Sequence, residues 1–182
     1  IAGSINSGSA ETVTANDGSS VSFDGNFINE DGTEYTGNVD VVIRHLDPAD
    51  EDMIMQMPGM LYAENEDGAE RMLQTLGMLA VELIGSGGED LNLADGSTSE
   101  IRIPVDPSLM GIAPATIPLR SINETNGYWK EEGFATVQGN MYVGIVTHFS
   151  FWNCDIPAEA IILCVTATNA NSEPLNNLSI SV

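Results

Sequence analysis

The chain has 182 residues, of which 42% are hydrophobic, enough for one large or two small folded domains and too apolar for a disordered segment. It carries 27 acidic residues against 5 basic ones, a formal net charge of −22, and a surface of that sign repels nucleic acid and anionic lipid. No apolar run approaches the roughly 18–20 residues that a membrane-spanning helix needs, so neither nucleic acid nor membrane insertion is expected.

Residues 1–10, rich in Gly and Ser, read as a flexible linker. Ile1 stands where an initiator methionine would, so a mature or excised fragment is expected. From residue 11 onward, apolar residues alternate with period two between regularly spaced turn signals. Val21 and Phe23 follow the Asp17-Gly18 turn. Asp31-Gly32 then separates them from Val39, Val41 and Ile43, which share one face of the next strand. Residues 47–65 are irregular, broken by Pro48 and Pro58 and holding Met53, Met55, Met57 and Met60. They are read as a loop packed over the sandwich edge, with a partner-binding surface as the alternative. Residues 69–76 fit a short helix, a strand or a single turn equally. Met78, Ala80, Glu82 and Ile84 alternate with Leu79, Val81 and Leu83, which predicts a strand buried on nearly both faces. Ile101 and Ile103 form a short strand that Pro104 ends. Segments 136–138 and 141–147 flank Gly139-Asn140, a two-residue hairpin signal. Segments 161–168 and 178–182 are β-like as well. Together these predict an all-β fold, a β-sandwich of short antiparallel strands over residues 11–155, followed by a C-terminal β segment over 156–182.

One constellation carries chemistry: Thr147-His148-Phe149-Ser150-Phe151-Trp152. On a strand, His148 and Ser150 are two apart and share a face. The Ser150 hydroxyl can approach the carbonyl of its own preceding residue. A twisted Phe149–Ser150 peptide would ease attack there, and His148 would take the proton as general base. The alternative is two ordinary, hydrogen-bonded strand residues.

His-Phe-Ser at the end of a late strand resembles the self-cleaving motif of the sandwich domains shared by netrin receptors, ankyrins and the death-domain protein PIDD. Autoproteolytic nucleoporins use the same tripeptide on another scaffold. Segments 18–23, 31–33 and 35–39 resemble the opening strands of such a domain, and 117–124 with 127–133 resemble the UPA-like segment that follows it; a similar pattern occurs in cartilage intermediate layer proteins and Bacteroidota surface proteins. Arg120 departs from the usual Trp at its position. Residues 160–182, with Pro174-Leu175-Asn176-Asn177, resemble the start of a carboxypeptidase regulatory-like, transthyretin-like domain. The resemblance implies an extracellular or cell-surface module whose partners are other domains of the same protein. It also implies cleavage between Phe149 and Ser150 as a single event in cis, with no trans-acting enzyme. A non-cleaving adhesion or carbohydrate-binding module, with an unidentified glycan or protein ligand, is the alternative.

No cofactor is expected beyond calcium, for which Asp24, Asn26 and Asp31 are the candidate ligands through hard oxygens. A solvated acidic turn explains the same residues. Cys154 and Cys164 are a disulfide candidate, with two buried thiols as the other reading. Adjacent Glu131 and Glu132 should point to opposite faces of a strand and so make no carboxylate pair. Tyr128, Trp129, Phe151 and Trp152 are either a sugar platform or core.

Overall fold

A computed structural model describes residues 1–64, 70–158, 166–169 and, beyond these, 171, 173 and 175. Among the described residues there are fourteen strands and one helical turn: β1 (Gly3–Asn6), β2 (Glu11–Thr14), β3 (Ser20–Phe23), β4 (Phe27–Asn29), β5 (Glu34–Tyr35), β6 (Asn38–Leu46), α1 (Met53–Gln56), β7 (Tyr62–Glu64), β8 (Glu70–Gly85), β9 (Asp90–Leu93), β10 (Ser99–Pro104), β11 (Thr116–Ile122), β12 (Trp129–Gln138), β13 (Met141–Val146) and β14 (Phe151–Ala158). The fold is an all-β sandwich. Its hydrogen-bonded path runs β2-β3-β10-β13-β12-β11-β14-β8-β9-β4-β5, with β1 attached through β6 to β8, and β7 beside β8 and β12. Every pairing is antiparallel except β7 with β12.

β8 organises the sandwich. It pairs with β14 on one edge and with β6 and β9 over its second half. Leu79, Val81 and Leu83 enter the main core with Val21, Phe23, Val39, Val41, Ile101, Ile103 and Trp152. Met78 points the other way, into a smaller cluster with Leu46, Met53, Ala63, Leu73, Ile122 and Trp129. Leu73 and Met78 share the smaller cluster, and Leu76 and Leu79 the main core, although an odd spacing separates each pair and an unbroken strand would send them to opposite faces. The reason is a bulge: Cys154 pairs with Gly77 and Asp155 with Thr75, so Leu76 is the extra residue and the facing of β8 reverses there.

Several expectations are revised. The start, expected as a linker, is a strand: Ile5 is buried and β1 pairs residue for residue with β6, whose open edge takes up its backbone groups. The ambiguous stretch before Met78 is strand from Glu70 onward, since both edges of β8 have partners there. The Met-rich stretch contains α1. Met53 is buried and Met57 packs against the smaller cluster, whereas Met55 and Met60 are exposed. β14 runs through Ile156, Pro157 and Ala158 in continuous pairing with β8, with no break at the expected domain boundary. The expected strands 161–168 and 178–182 lie largely outside the described residues. A polar turn between them is closed by Asn169 N–H donating to the Glu173 carbonyl and Leu175 N–H to that of Ala167.

Candidate functional site

The His-Phe-Ser tripeptide is not on a strand. Residues 147–150 form a bend between β13 and β14, so the shared-face argument for His148 and Ser150 does not apply. Each residue of the bend is held separately. The Phe149 ring is buried in the main core, edge-on to Phe23 at 5.6 Å between centroids. The Trp152 indole is buried below the bend and its Nε1–H donates to the His148 carbonyl at 3.2 Å. The same indole lies 5.0 Å from the imidazole of His148.

His148 has a carboxylate partner. Its Nε2 lies 2.7 Å from Oε2 of Glu132. A carboxylate only accepts, so Nε2 carries the proton and Nδ1 keeps the lone pair in the neutral ring. β12 bulges beside this site: Leu119 pairs with Gly133 and Arg120 with Glu131, leaving Glu132 as the extra residue. Glu131 and Glu132 point to opposite faces, as expected of adjacent strand residues: Glu132 joins Ser121, Lys130 and His148, while Glu131 binds Arg120 at 2.8 Å. Partial burial pushes the Glu132 carboxyl up, but hydrogen bonds from Lys130, His148 and Ser121 outweigh it and hold the group below its ordinary value. It is therefore an anion at neutral pH, fit to orient an imidazole.

Asn92, on β9, grips the tripeptide from the opposite side. Its Oδ1 accepts the Phe149 N–H at 2.9 Å and its Nδ2 donates to the Phe149 carbonyl at 3.3 Å. Ser150 is half-buried, and its hydroxyl donates to the Phe151 carbonyl at 3.2 Å. Phe149, Ser150 and Phe151 line one wall of an open cleft of about 340 Å³, whose other walls include Val81, Leu83 and Leu91 and whose rim carries Glu30, Glu82, Asp90 and Glu124. The cleft thus borders residues 149–151.

Sequence reasoning singled out the tripeptide and missed both Asn92 and Glu132. Asn92 is 57 residues from Phe149, and no spacing rule links them. Sequence reasoning weighs Glu132 only as half of a carboxylate pair with Glu131; the two do face different partners, and no spacing rule links Glu132 to His148, 16 residues on.

The other candidates lie apart from this site. Asp24 Oδ1 accepts the Asn26 N–H at 2.9 Å, and Asp31 Oδ1 accepts both the N–H and hydroxyl of Thr33, so each carboxylate closes its own turn. Hydrogen bonds from Thr33 hold Asp31 below its ordinary value; at Asp24 burial pushes the carboxyl up, but hydrogen bonds from Asn26 and Ser97 together outweigh it and hold the group low. Among the described residues no three His, Cys, Asp or Glu side chains gather as a metal site. Cys154 is buried in the main core and forms no disulfide among the described residues; its candidate partner Cys164 lies outside them. Trp129 and Trp152 are core, so the sugar platform loses its two largest members. Tyr128 donates to Glu70 at 2.6 Å. Arg120 is buried and bridges Asp155 on β14 and Glu131 on β12, joining three strands where sequence expected only a packing role.

Comparison of the chain with protein-family models, with curated proteins and with solved structures finds no match.

Proposed function

We propose that this chain is a cell-surface β-sandwich module that cuts its own backbone once, between Phe149 and Ser150. The observation that carries this reading is the Glu132–His148 pair beside a peptide fixed on both sides. An oriented imidazole, a serine and a peptide held by Asn92 beside an open cleft lie in one bend. The resemblance of His148-Phe149-Ser150 to known self-cleaving sandwich motifs points the same way.

The reaction needs one local movement. The Ser150 hydroxyl now faces the Phe151 carbonyl, and turning to another staggered rotamer forfeits one hydrogen bond worth about 1 kcal/mol. His148 takes the hydroxyl proton as the oxygen attacks the Phe149 carbonyl carbon. The peptide becomes an ester, and water from the cleft hydrolyses it. Fragments 1–149 and 150–182 stay associated, because β14 is hydrogen-bonded to β8 and β11. The acidic surface suits an extracellular setting in which other domains of the same protein are the partners. Intact-mass measurement on fresh protein tests the proposal: two fragments are expected from the wild type and a single uncut chain from Ser150→Ala. A wild-type chain that stays whole for days removes it.

A second reading is a non-cleaving adhesion module for a protein ligand, with calcium bound outside the turns described. One observation favours it. Phe134 on β12 and Ile145 on β13 are 60% and 55% exposed side by side on neighbouring strands, an apolar patch a partner could cover.

A further inference from the structure

The Phe149 carbonyl oxygen already has a donor aimed at it before any reaction. We infer that Asn92 is a further catalytic residue, its side-chain amide acting as the oxyanion donor for cleavage at Phe149–Ser150; this rests on the self-cleavage reading above. The geometry is that of a fork. In an extended residue the N–H and C=O point the same way, as they do toward a strand partner. Asn92 imitates that partner with one side chain, taking the N–H at 2.9 Å on Oδ1 and giving Nδ2–H to the carbonyl at 3.3 Å. Its own Oδ1 also accepts the Leu93 N–H at 2.8 Å, which fixes the amide's orientation and so which end is donor.

The two contacts differ in what they do. The shorter one holds Phe149 in place. The longer one is weak against a neutral carbonyl oxygen, but it strengthens once that oxygen carries negative charge and moves as its carbon becomes tetrahedral. A bond that tightens only at that stage lowers the barrier rather than merely stabilising the uncut chain. The amide is also already paid for in order: β9 is paired to β4 at Ile28–Asn92 and to β8 at Leu83–Leu91, so no segment moves to bring the donor in.

The step balances as follows. The Ser150 Oγ–H proton passes to the His148 ring and the Oγ–C bond to Phe149 forms. The carbonyl electron pair moves onto oxygen, facing Asn92 Nδ2–H. The C–N bond breaks as the Ser150 nitrogen takes the proton back from the imidazolium, leaving an ester from Phe149 to Oγ and a free amine. Water then adds to the ester carbon, past a second oxyanion at the same place, and releases the Phe149 carboxylate and the Ser150 hydroxyl.

Asn92→Asp separates the two contacts. It keeps an acceptor for the Phe149 N–H and replaces the donor by a carboxylate oxygen. Cell-free synthesis followed by timed intact-mass measurement should show cleavage slowed by about 10²–10³-fold, with a thermal midpoint close to that of Ser150→Ala. Cleavage of Asn92→Asp within a few-fold of wild type would overturn the role of Asn92 and leave self-cleavage standing. An uncut wild type would overturn both. If Asn92→Asp does not fold, uncut Ser150→Ala labelled with ¹⁵N and ¹³C decides. A through-hydrogen-bond coupling from the Asn92 side-chain nitrogen to the Phe149 carbonyl carbon supports the donor, and its absence removes it.

Discussion

Replacing Arg120 by Met should cost stability by an amount that grows with pH above neutrality. The Asp155 carboxyl is fully buried between β8, β11 and β14, with Oδ2 lacking a hydrogen-bond partner among the described residues. Burial pushes it up from 3.8 to about 7, even though the Arg120 guanidinium in direct contact pulls it down; Glu131 adds to the rise. Contact with Arg120 alone would have kept it low, so complete desolvation is the larger effect. A carboxyl raised by folding contributes its full stability below the unfolded value near 3.8 and loses it as pH rises to about 7. Above that, wild-type Asp155 is ionised in both states and its contribution is flat. Without Arg120 the folded group is higher still, so the loss continues at about 1.4 kcal/mol per pH unit. Near pH 6 both folded forms hold the neutral acid, and the difference between variant and wild type should be about 1–3 kcal/mol, from lost hydrogen bonds. By about pH 8.5 the difference should widen by about 2 kcal/mol. Urea unfolding of both proteins across that range measures it. Curves that remain parallel above pH 7 would refute a raised Asp155.

The other expectations are independent of this one. Burial pushes the Cys154 thiol far above its ordinary value, with Asp155 adding to it. In a Cys164→Ser background the thiol should resist a disulfide reagent in the native protein and react at once in denaturant; prompt native labelling would place it at the surface. Trp129 is fully buried and its Nε1–H donates to the Met60 carbonyl at 3.0 Å, pinning the Met-rich stretch. Trp129→Phe should cost about 2 kcal/mol and speed proteolysis between α1 and β7; an unchanged digestion pattern would show that the stretch is held by other contacts.

What the sequence by itself determined is the class of fold; it also singled out the candidate tripeptide. Period-two alternation is a local property, and it found the faces of Val39 and Val41 and of Leu79, Val81 and Leu83, which are buried as expected. The His-Phe-Ser motif is contiguous and so readable. Only the tertiary structure decided what surrounds it. Alternation presumes an unbroken register, whereas single extra residues at Leu76 and Glu132 reverse the facing of everything beyond them. A bulge is set by how two distant strands match in length and twist, which no window of one strand contains. For the same reason β1 was invisible: Gly3–Asn6 is polar and short, and it is a strand only because β6 offers it an edge. Asn92 meets Phe149 because β9, β8 and the β13–β14 bend converge in space, a consequence of long-range pairing rather than of any residue pattern.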